Sequence, residues 1–279
     1  MKYICSLFSR LYKTNQACPP ALSQMGDLRT GTKSVLVHCL EDLIPVQENV
    51  SSPIVQAIFL DGAAVVNMLR PDSARTFQDY ANDIFMSSIT FQLQHVARLG
   101  IIWDVYLPDS LKGDTHRKTG KSVKRRIEAP STVPRNWQEF LSLDDNKTEL
   151  FPLLARTAVG FETDKQVITK HNKHNADVLC SSSRVDVSGL DPCTHEEADT
   201  RILIHLEDAV KQCHKKMLIR TVDTNVEVLA VTAAQQISRA LVPDRCAAML
   251  MFHTFTGCDT VSIFGGRGKK TAWETWNAY

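Results

Sequence analysis

Three short apolar runs, each stopping at an aspartate, constrain the fold of this chain more than anything else in it. Ile54 to Leu60 runs into Asp61, Ile101 to Trp103 into Asp104, and Met217 to Val222 into Asp223. Apolar runs of this length, bounded by polar and glycine residues, read as buried strands of a parallel sheet. The carboxyl ends of such strands form the ligand crevice of an open α/β sheet. Three aspartates at three such ends are therefore expected to converge. Two bare carboxylates about 4 Å apart repel by about 4 kcal/mol at an effective dielectric of about 20, and a divalent cation is the usual remedy. A plainer reading stands beside this one: aspartates that follow strands also cap the next helix.

The intervening sequence supports alternation of strands and helices. Ala64 to Leu69 predicts a helical segment ending before Pro71. Thr76 to Leu99 carries Phe77, Tyr80, Ile84, Phe85, Ile89, Leu93 and Val96 at helical spacing. Strand, helix, strand is the βαβ signature of an α/β fold. Trp137 to Leu154 predicts a further helix, Gln166 to Thr169 and Val178 to Cys180 predict one or two strands, and Pro192 to Val210 predicts another helix. Residues 1–50 read as a partly irregular N-terminal extension with one short element over Val35 to Leu43. The main domain is expected over 51–279.

Composition sets limits. With 43% apolar and 23% charged residues in 279, the chain suits a soluble globular protein with a sizeable core. The net charge of +1 assigns any affinity for polyanions to local patches. The eight cysteines form no C-x-x-C pair, which argues against a zinc ribbon and for reduced, mostly buried thiols inside the cell. The first residues break their apolar character too early for a signal peptide, and no stretch has the length of a membrane span. The expected location is intracellular, nuclear or cytoplasmic.

Three further segments bear on chemistry. Lys112 to Arg126 carries Lys112, Arg117, Lys118, Lys121, Lys124, Arg125 and Arg126 against one acid, Asp114. Such runs are usually solvated loops, but beside an acidic metal site they suit a phosphodiester backbone. Glu196, Glu197 and Asp199 follow Thr194 at a predicted helix start, where a capping box explains them and oxygen ligation is the alternative. Gly265 to Lys270 joins a glycine-rich turn to two lysines at a helix start, a place for phosphate. It is no Walker A loop, because position 263 is Ile and Gly268-Lys269 is followed by Lys270. A phosphatase using Asp61 as nucleophile would need an acid two residues on, where Ala63 stands. Trp273 and Trp276 read as core packing.

Taken in order, these features resemble the flap-endonuclease (XPG-type) branch of the PIN-like nucleases. The segments that carry the resemblance are strand–Asp61, strand–Asp104 with its basic run, Glu197-Ala198-Asp199, strand–Thr221-Val222-Asp223-Thr224-Asn225, Gly257-Cys258-Asp259 and Gly265 to Ala272. They span residues 54 to 276. The chain also resembles a group of uncharacterised animal proteins that share His-Glu-Glu-Ala-Asp-Thr-Arg and Gly-Arg-Gly-Lys-Lys-Thr-Ala-Trp signatures, here starting at His195 and Gly266.

The nuclease resemblance implies a PIN-like, Rossmann-like sheet flanked by helices, a basic arch-like insert over 105–150 and a C-terminal helical hairpin over 257–279. It implies metal-dependent hydrolysis of nucleic acid, DNA ahead of RNA, with two Mg²⁺ or Mn²⁺ ions held by Asp61, Asp104, Glu197, Asp199, Asp223 and Asp259. Asn225 stands where the family has a further acid and offers only a carbonyl oxygen. Lys112, Arg117, Lys118, Lys121, Lys124, Arg125 and Arg126 would grip substrate from the arch, and Gly266, Gly268, Lys269 and Lys270 from the hairpin. Asn225 also opens an alternative: a catalytically weakened PIN-like module that binds nucleic acid or protein.

Overall fold

A computed structural model describes residues 34–42, 54–106, 123–170, 178–181, 186–190, 198–237, 252–253, 256 and 268–278. In chain order the elements are α1 (Val35–Glu41), β1 (Ala57–Asp61), α2 (Gly62–Met68) and α3, which is built of Phe77–Asp79, a π-helical stretch Tyr80–Phe85 and Met86–Leu93. Then come β2 (Arg98–Ile102), α4 (Trp137–Leu141), α5 (Asp144–Val159), β3 (Gln166–Lys170), β4 (Val178–Cys180), α6 (Ala198–Lys211), β5 (Met217–Arg220), α7 (Thr224–Ile237) and α8 (Lys269–Ala278). The chain divides into two compact units, Val50–Val226 and Met1–Asn49 with Glu227–Tyr279.

The unit Val50–Val226 is an α/β structure around one five-stranded, mostly parallel sheet of order β4-β3-β2-β1-β5. β1 pairs in parallel with β2 and β5, β2 pairs in parallel with β3, and only β4 runs antiparallel, against β3. Every residue of β1 and β2 is buried, as a strand covered on both faces must be. On one face Ile58, Leu60, Leu99, Ile101 and Val167 meet Phe77, Phe85 and Ile89 of α3 and Leu150, Phe151 and Leu154 of α5. On the other, Ala57, Phe59 and Ile102 meet Ala198, Ile202, Leu206 and Ala209 of α6 and Val226 of α7. The alternation along each strand sends successive side chains to opposite faces.

The connections out of β1 lead to β2 and then β3 on one side, and the chain returns to place β5 on the other. The strand order therefore reverses at β1, and its carboxyl end is the topological switch point where ligands of open α/β sheets bind.

Several boundaries differ from the sequence expectation, each for a physical reason. Ile54 lies before β1 and is 85% exposed, and Val222 lies beyond β5 and is 71% exposed; an apolar side chain at a strand end need not share the strand's burial. The helical pattern through Leu99 stops at Leu93, and Arg98 and Leu99 open β2, so this strand starts three residues before Ile101 and ends before Trp103. The helix expected from Trp137 to Leu154 is two helices, parted at Ser142-Leu143; the second passes through Pro152 to Val159. The expected mostly buried thiols include exposed Cys213 and half-buried Cys180, with Cys39 buried; all three are free.

In the other unit, Leu36 and Cys39 of α1, Val228 of α7 and Trp273 of α8 form a small core. Trp276 stacks on Phe252 at 4.9 Å and meets Trp273 edge-on at 5.5 Å, in keeping with the packing role expected of both tryptophans. Of the expected hairpin, only α8 and the preceding Gly268 fall within the described residues. No helix among the described residues is long and apolar enough to cross a membrane.

Candidate functional site

Asp61 is the last residue of β1 and the N-cap of α2; its Oδ1 accepts the Ala64 N–H at 3.1 Å. The turn between strand and helix needs Gly62, because a Cβ there would come within 2.3 Å of the Trp103 ring. Trp103 packs under this turn, 4.6 Å from Phe151 and 6.1 Å from Phe85. Its Nε1–H donates to Thr169 Oγ1 at 2.8 Å, and that hydroxyl donates to the Ile101 carbonyl at 2.9 Å. One indole thus ties together the carboxyl ends of β1, β2 and β3.

Asp104, next in the chain, lies two residues past β2. Its Oδ1 accepts the Ala198 N–H, the first described amide of α6, at 2.9 Å, and its Oδ2 accepts the Tyr106 hydroxyl at 3.3 Å. Arg201 of α6 donates to the Trp103 carbonyl at 3.2 Å. Asp223 precedes α7 and its Oδ1 accepts the Asn225 N–H at 2.8 Å. Asp61 and Asp223 each receive an amide from the first turn of the helix that follows, as the capping reading expects, whereas Asp104 receives one from α6, far along the chain.

The electrostatics show a second property. Asp61 is only 8% exposed. Burial raises its pKa above the ordinary carboxylate value, and the charges of Asp104 and Asp223 raise it further, against the lowering effect of the Ala64 and Ala63 amides. The strand ends that carry these three aspartates thus form an acidic edge, on which Asp61 feels the charges of the other two. Tyr106 titrates well above its ordinary value, first through burial and then through Asp104 and Asp144; it stays a neutral donor.

Among the described residues, no group of three or more His, Cys, Asp or Glu side chains is drawn close enough to hold a metal ion. Asp61, Asp104 and Asp223 offer carboxylate oxygens, the donor type that hard cations such as Mg²⁺ and Mn²⁺ take, but the described carboxylates are not drawn into such a group. Asp199 lies half-buried on the first turn of α6, and Asn225 on the first turn of α7. Glu197 and Asp259 lie outside the described residues.

The expected phosphate contacts divide. Lys112, Arg117, Lys118, Lys121 and Gly266 lie outside the described residues. Lys124, Arg125 and Arg126 are exposed; Lys124 pairs with Asp145 at 3.3 Å and Arg126 with Glu128 at 3.4 Å. Such exposed pairs are weak enough to yield to a phosphate. Lys269 departs from expectation: it is 4% exposed, and its Nζ donates to the His253 carbonyl at 3.1 Å and Thr256 Oγ1 at 3.0 Å. Its position at the start of α8 turns it inward, where those oxygens stabilise the buried ammonium. Its neighbour Lys270 is exposed.

Three features of this unit were not expected from sequence. Buried Asn146 of α5 holds the end of the basic run, accepting the Arg125 N–H at 2.8 Å and donating to the Val123 and Phe140 carbonyls at 3.3 and 3.0 Å. Arg98, fully buried at the start of β2, pairs with Asp208 of α6 at 2.6 Å. His205, beside them, is held neutral with its pKa lowered to about 3 by burial and by Arg98, Lys170 and Arg201. Tyr106 had one local signal, an aromatic two residues after a candidate acid. Comparison with protein-family models, curated proteins and solved structures gives no match for this chain.

Proposed function

We propose that this chain is a divalent-cation-dependent phosphodiester hydrolase acting on nucleic acid, of the flap-endonuclease type among PIN-like nucleases. The observation that carries the reading is the electrostatic convergence of Asp104 and Asp223 on buried Asp61 at the switch point of the sheet. Asp61, Asp104 and Asp223 would hold the cation, with Asp199 beside them and Glu197 and Asp259 joining through the resemblance. When bound, the ion would polarise a phosphoryl oxygen and lower the pKa of a water. The chain's own residues do the rest. The amides of Ala64, Ala198 and Asn225 hold the three carboxylates in place, Trp103 ties the ends of β1 and β2, and exposed Arg125 and Lys270 offer cations to a phosphate backbone. Asn225 brings no negative charge, so a second ion would bind more weakly than the first.

A second reading has its own support: Asp61 and Asp223 cap the helices that follow them, a role that needs no ion. On that reading the chain is a weakened PIN-like module that binds nucleic acid or protein without cleaving it. One experiment separates the two. Millimolar Mn²⁺ is expected to raise the thermal midpoint of the wild type, since a ligand bound only by the folded state stabilises it, and Asp61→Ala with Asp104→Ala is expected to abolish the rise. Labelled DNA and RNA structures are then cut by the wild type alone. Salt-dependent binding without any Mn²⁺ response or cleavage decides for the module.

A further inference from the structure

The turn that leaves α2 and the stretch that enters α4 enclose a cleft of about 540 Å³, and none of the acids discussed above lines it. Clefts of about 300–1,000 Å³ are usual for small organic ligands. Its walls are tied together by the protein itself. Buried Trp137 donates its Nε1–H to the Val66 carbonyl at 3.2 Å, and Gln138 Nε2 donates to the Asn67 carbonyl at 3.4 Å. The Ala74 N–H closes a tight turn on the Pro71 carbonyl at 2.8 Å, and the Val133 N–H meets the Arg75 carbonyl at 3.0 Å. Pro71 and Pro134 stiffen the two segments. Inside the turn Asp72 has a φ of 39°, a left-handed conformation that is uncommon outside glycine and clusters at ligand clamps.

Three charged side chains stand apart from this tied framework. Arg70, Arg135 and Asp72 all line the cleft, and among the described residues none of the three side chains has an ion-pair or hydrogen-bond partner. The acid therefore leaves both guanidiniums open to a ligand. A planar guanidinium presents its donors in a fork that matches phosphate oxygens. Two of them match the charge of a phosphomonoester, about −1.5 to −2 at pH 7. Asp72 repels a bare anion but accepts the proton of a hydroxyl. Together the three select a phosphate that carries hydroxyls on the same small molecule.

We infer that this cleft binds a sugar phosphate, with Arg70 and Arg135 on the phosphate and Asp72 on a sugar hydroxyl. The inference does not rest on the cation reading above. The test is calorimetric titration of the full chain with ribose 5-phosphate in metal-free buffer. The wild type is expected to bind, and Arg70→Gln and Arg135→Gln are each expected to weaken binding about tenfold or more, the size of a hydrogen bond to a charged group. Asp72→Asn keeps a residue that tolerates the left-handed backbone; it is expected to tighten inorganic phosphate and to weaken ribose 5-phosphate. Adenosine 5′-monophosphate separates two sources of the same chemistry: tighter binding than ribose 5-phosphate assigns the cleft to a nucleotide, equal or weaker binding to a free sugar phosphate. No binding of millimolar ribose 5-phosphate, or an affinity that survives Arg70→Gln with Arg135→Gln, overturns the inference. Equal affinity for inorganic phosphate and ribose 5-phosphate in both the wild type and Asp72→Asn overturns it too.

Discussion

Asp61 is placed where its charge works against the fold that holds it. Its pKa is raised, so the folded chain binds this proton more tightly than the unfolded chain does. The stabilising contribution is complete below the unfolded carboxyl value, about 3.9, and is lost as the pH rises through the folded value. At neutral pH the ionised side chain is thus a net cost to the metal-free protein. Asp61→Asn removes the charge and keeps an oxygen able to cap α2. The variant is expected to melt higher than the wild type without metal and to lose its response to Mn²⁺. A metal-free midpoint at or below that of the wild type would show that the capping bond outweighs the repulsion. His205 has the opposite linkage. Its pKa is lowered to about 3, so the stability from its neutral form is complete above the unfolded value of about 6.5 and is lost as the pH falls through that window. Urea midpoints of the wild type are expected to fall steadily from pH 6.5 to 5, and those of His205→Leu to fall less; parallel slopes would place the proton uptake elsewhere.

At the level of the elements, α6 is fastened to the sheet at both ends. Its first described amide meets Asp104, Arg201 holds the Trp103 carbonyl, and Asp208 holds Arg98 at the opposite end of β2. Arg98 has no exposed surface, and its Nε and Nη1 have no hydrogen-bond partner among the described residues. Removing the one carboxylate bonded to it leaves a buried charge uncompensated, so Asp208→Ala is expected to cost about 3–5 kcal/mol in urea unfolding. The double replacement Arg98→Met with Asp208→Leu is expected to cost far less, because two apolar groups replace a pair that is expensive to desolvate. Equal losses in the two variants would mean that packing, not charge, governs this joint. None of this joint was legible in the sequence. Arg98 and Asp208 are 110 positions apart, and no local pattern announces which partner a buried arginine will find. Strands β1 and β2 and the acids after them were legible, because burial on both faces demands apolar residues and the chain must turn where they stop; β5 was expected to be buried as well, but Met217 to Ile219 are half-buried and Arg220 is exposed, as befits the edge of the sheet. Strand limits at Ile54, Arg98 and Val222 were not, since apolar character alone does not tell a strand's last residue from an exposed neighbour. Lys269 was misjudged for a related reason: a lysine at a helix start reads as solvated, and only the packing of α8 shows it facing the His253 carbonyl and the Thr256 hydroxyl.

For the whole molecule, the division into two units asks how much of the chain the acidic edge needs. Asp61, Asp104, Asp199 and Asp223 all belong to Val50–Val226, whereas Asp259 falls in the sequence of the other unit. The first unit holds the entire five-stranded sheet and both of its covering layers, the requirement for a core that folds by itself. The boundary at Val226 falls inside α7, whose Val226 packs beneath the sheet; a fragment must therefore carry the helix whole. Residues 50–237 are expected to unfold in one cooperative transition in urea and to keep the Mn²⁺-induced rise in thermal midpoint. The same fragment with Asp61→Ala and Asp104→Ala is expected to lose that rise. A folded fragment that ignores Mn²⁺ while the full chain responds would overturn the assignment of the cation to the strand ends. A fragment that fails to fold would mean that the two units form one cooperative structure. An equal response from fragment and full chain would confine the cation to the strand ends, where the sheet reverses its order.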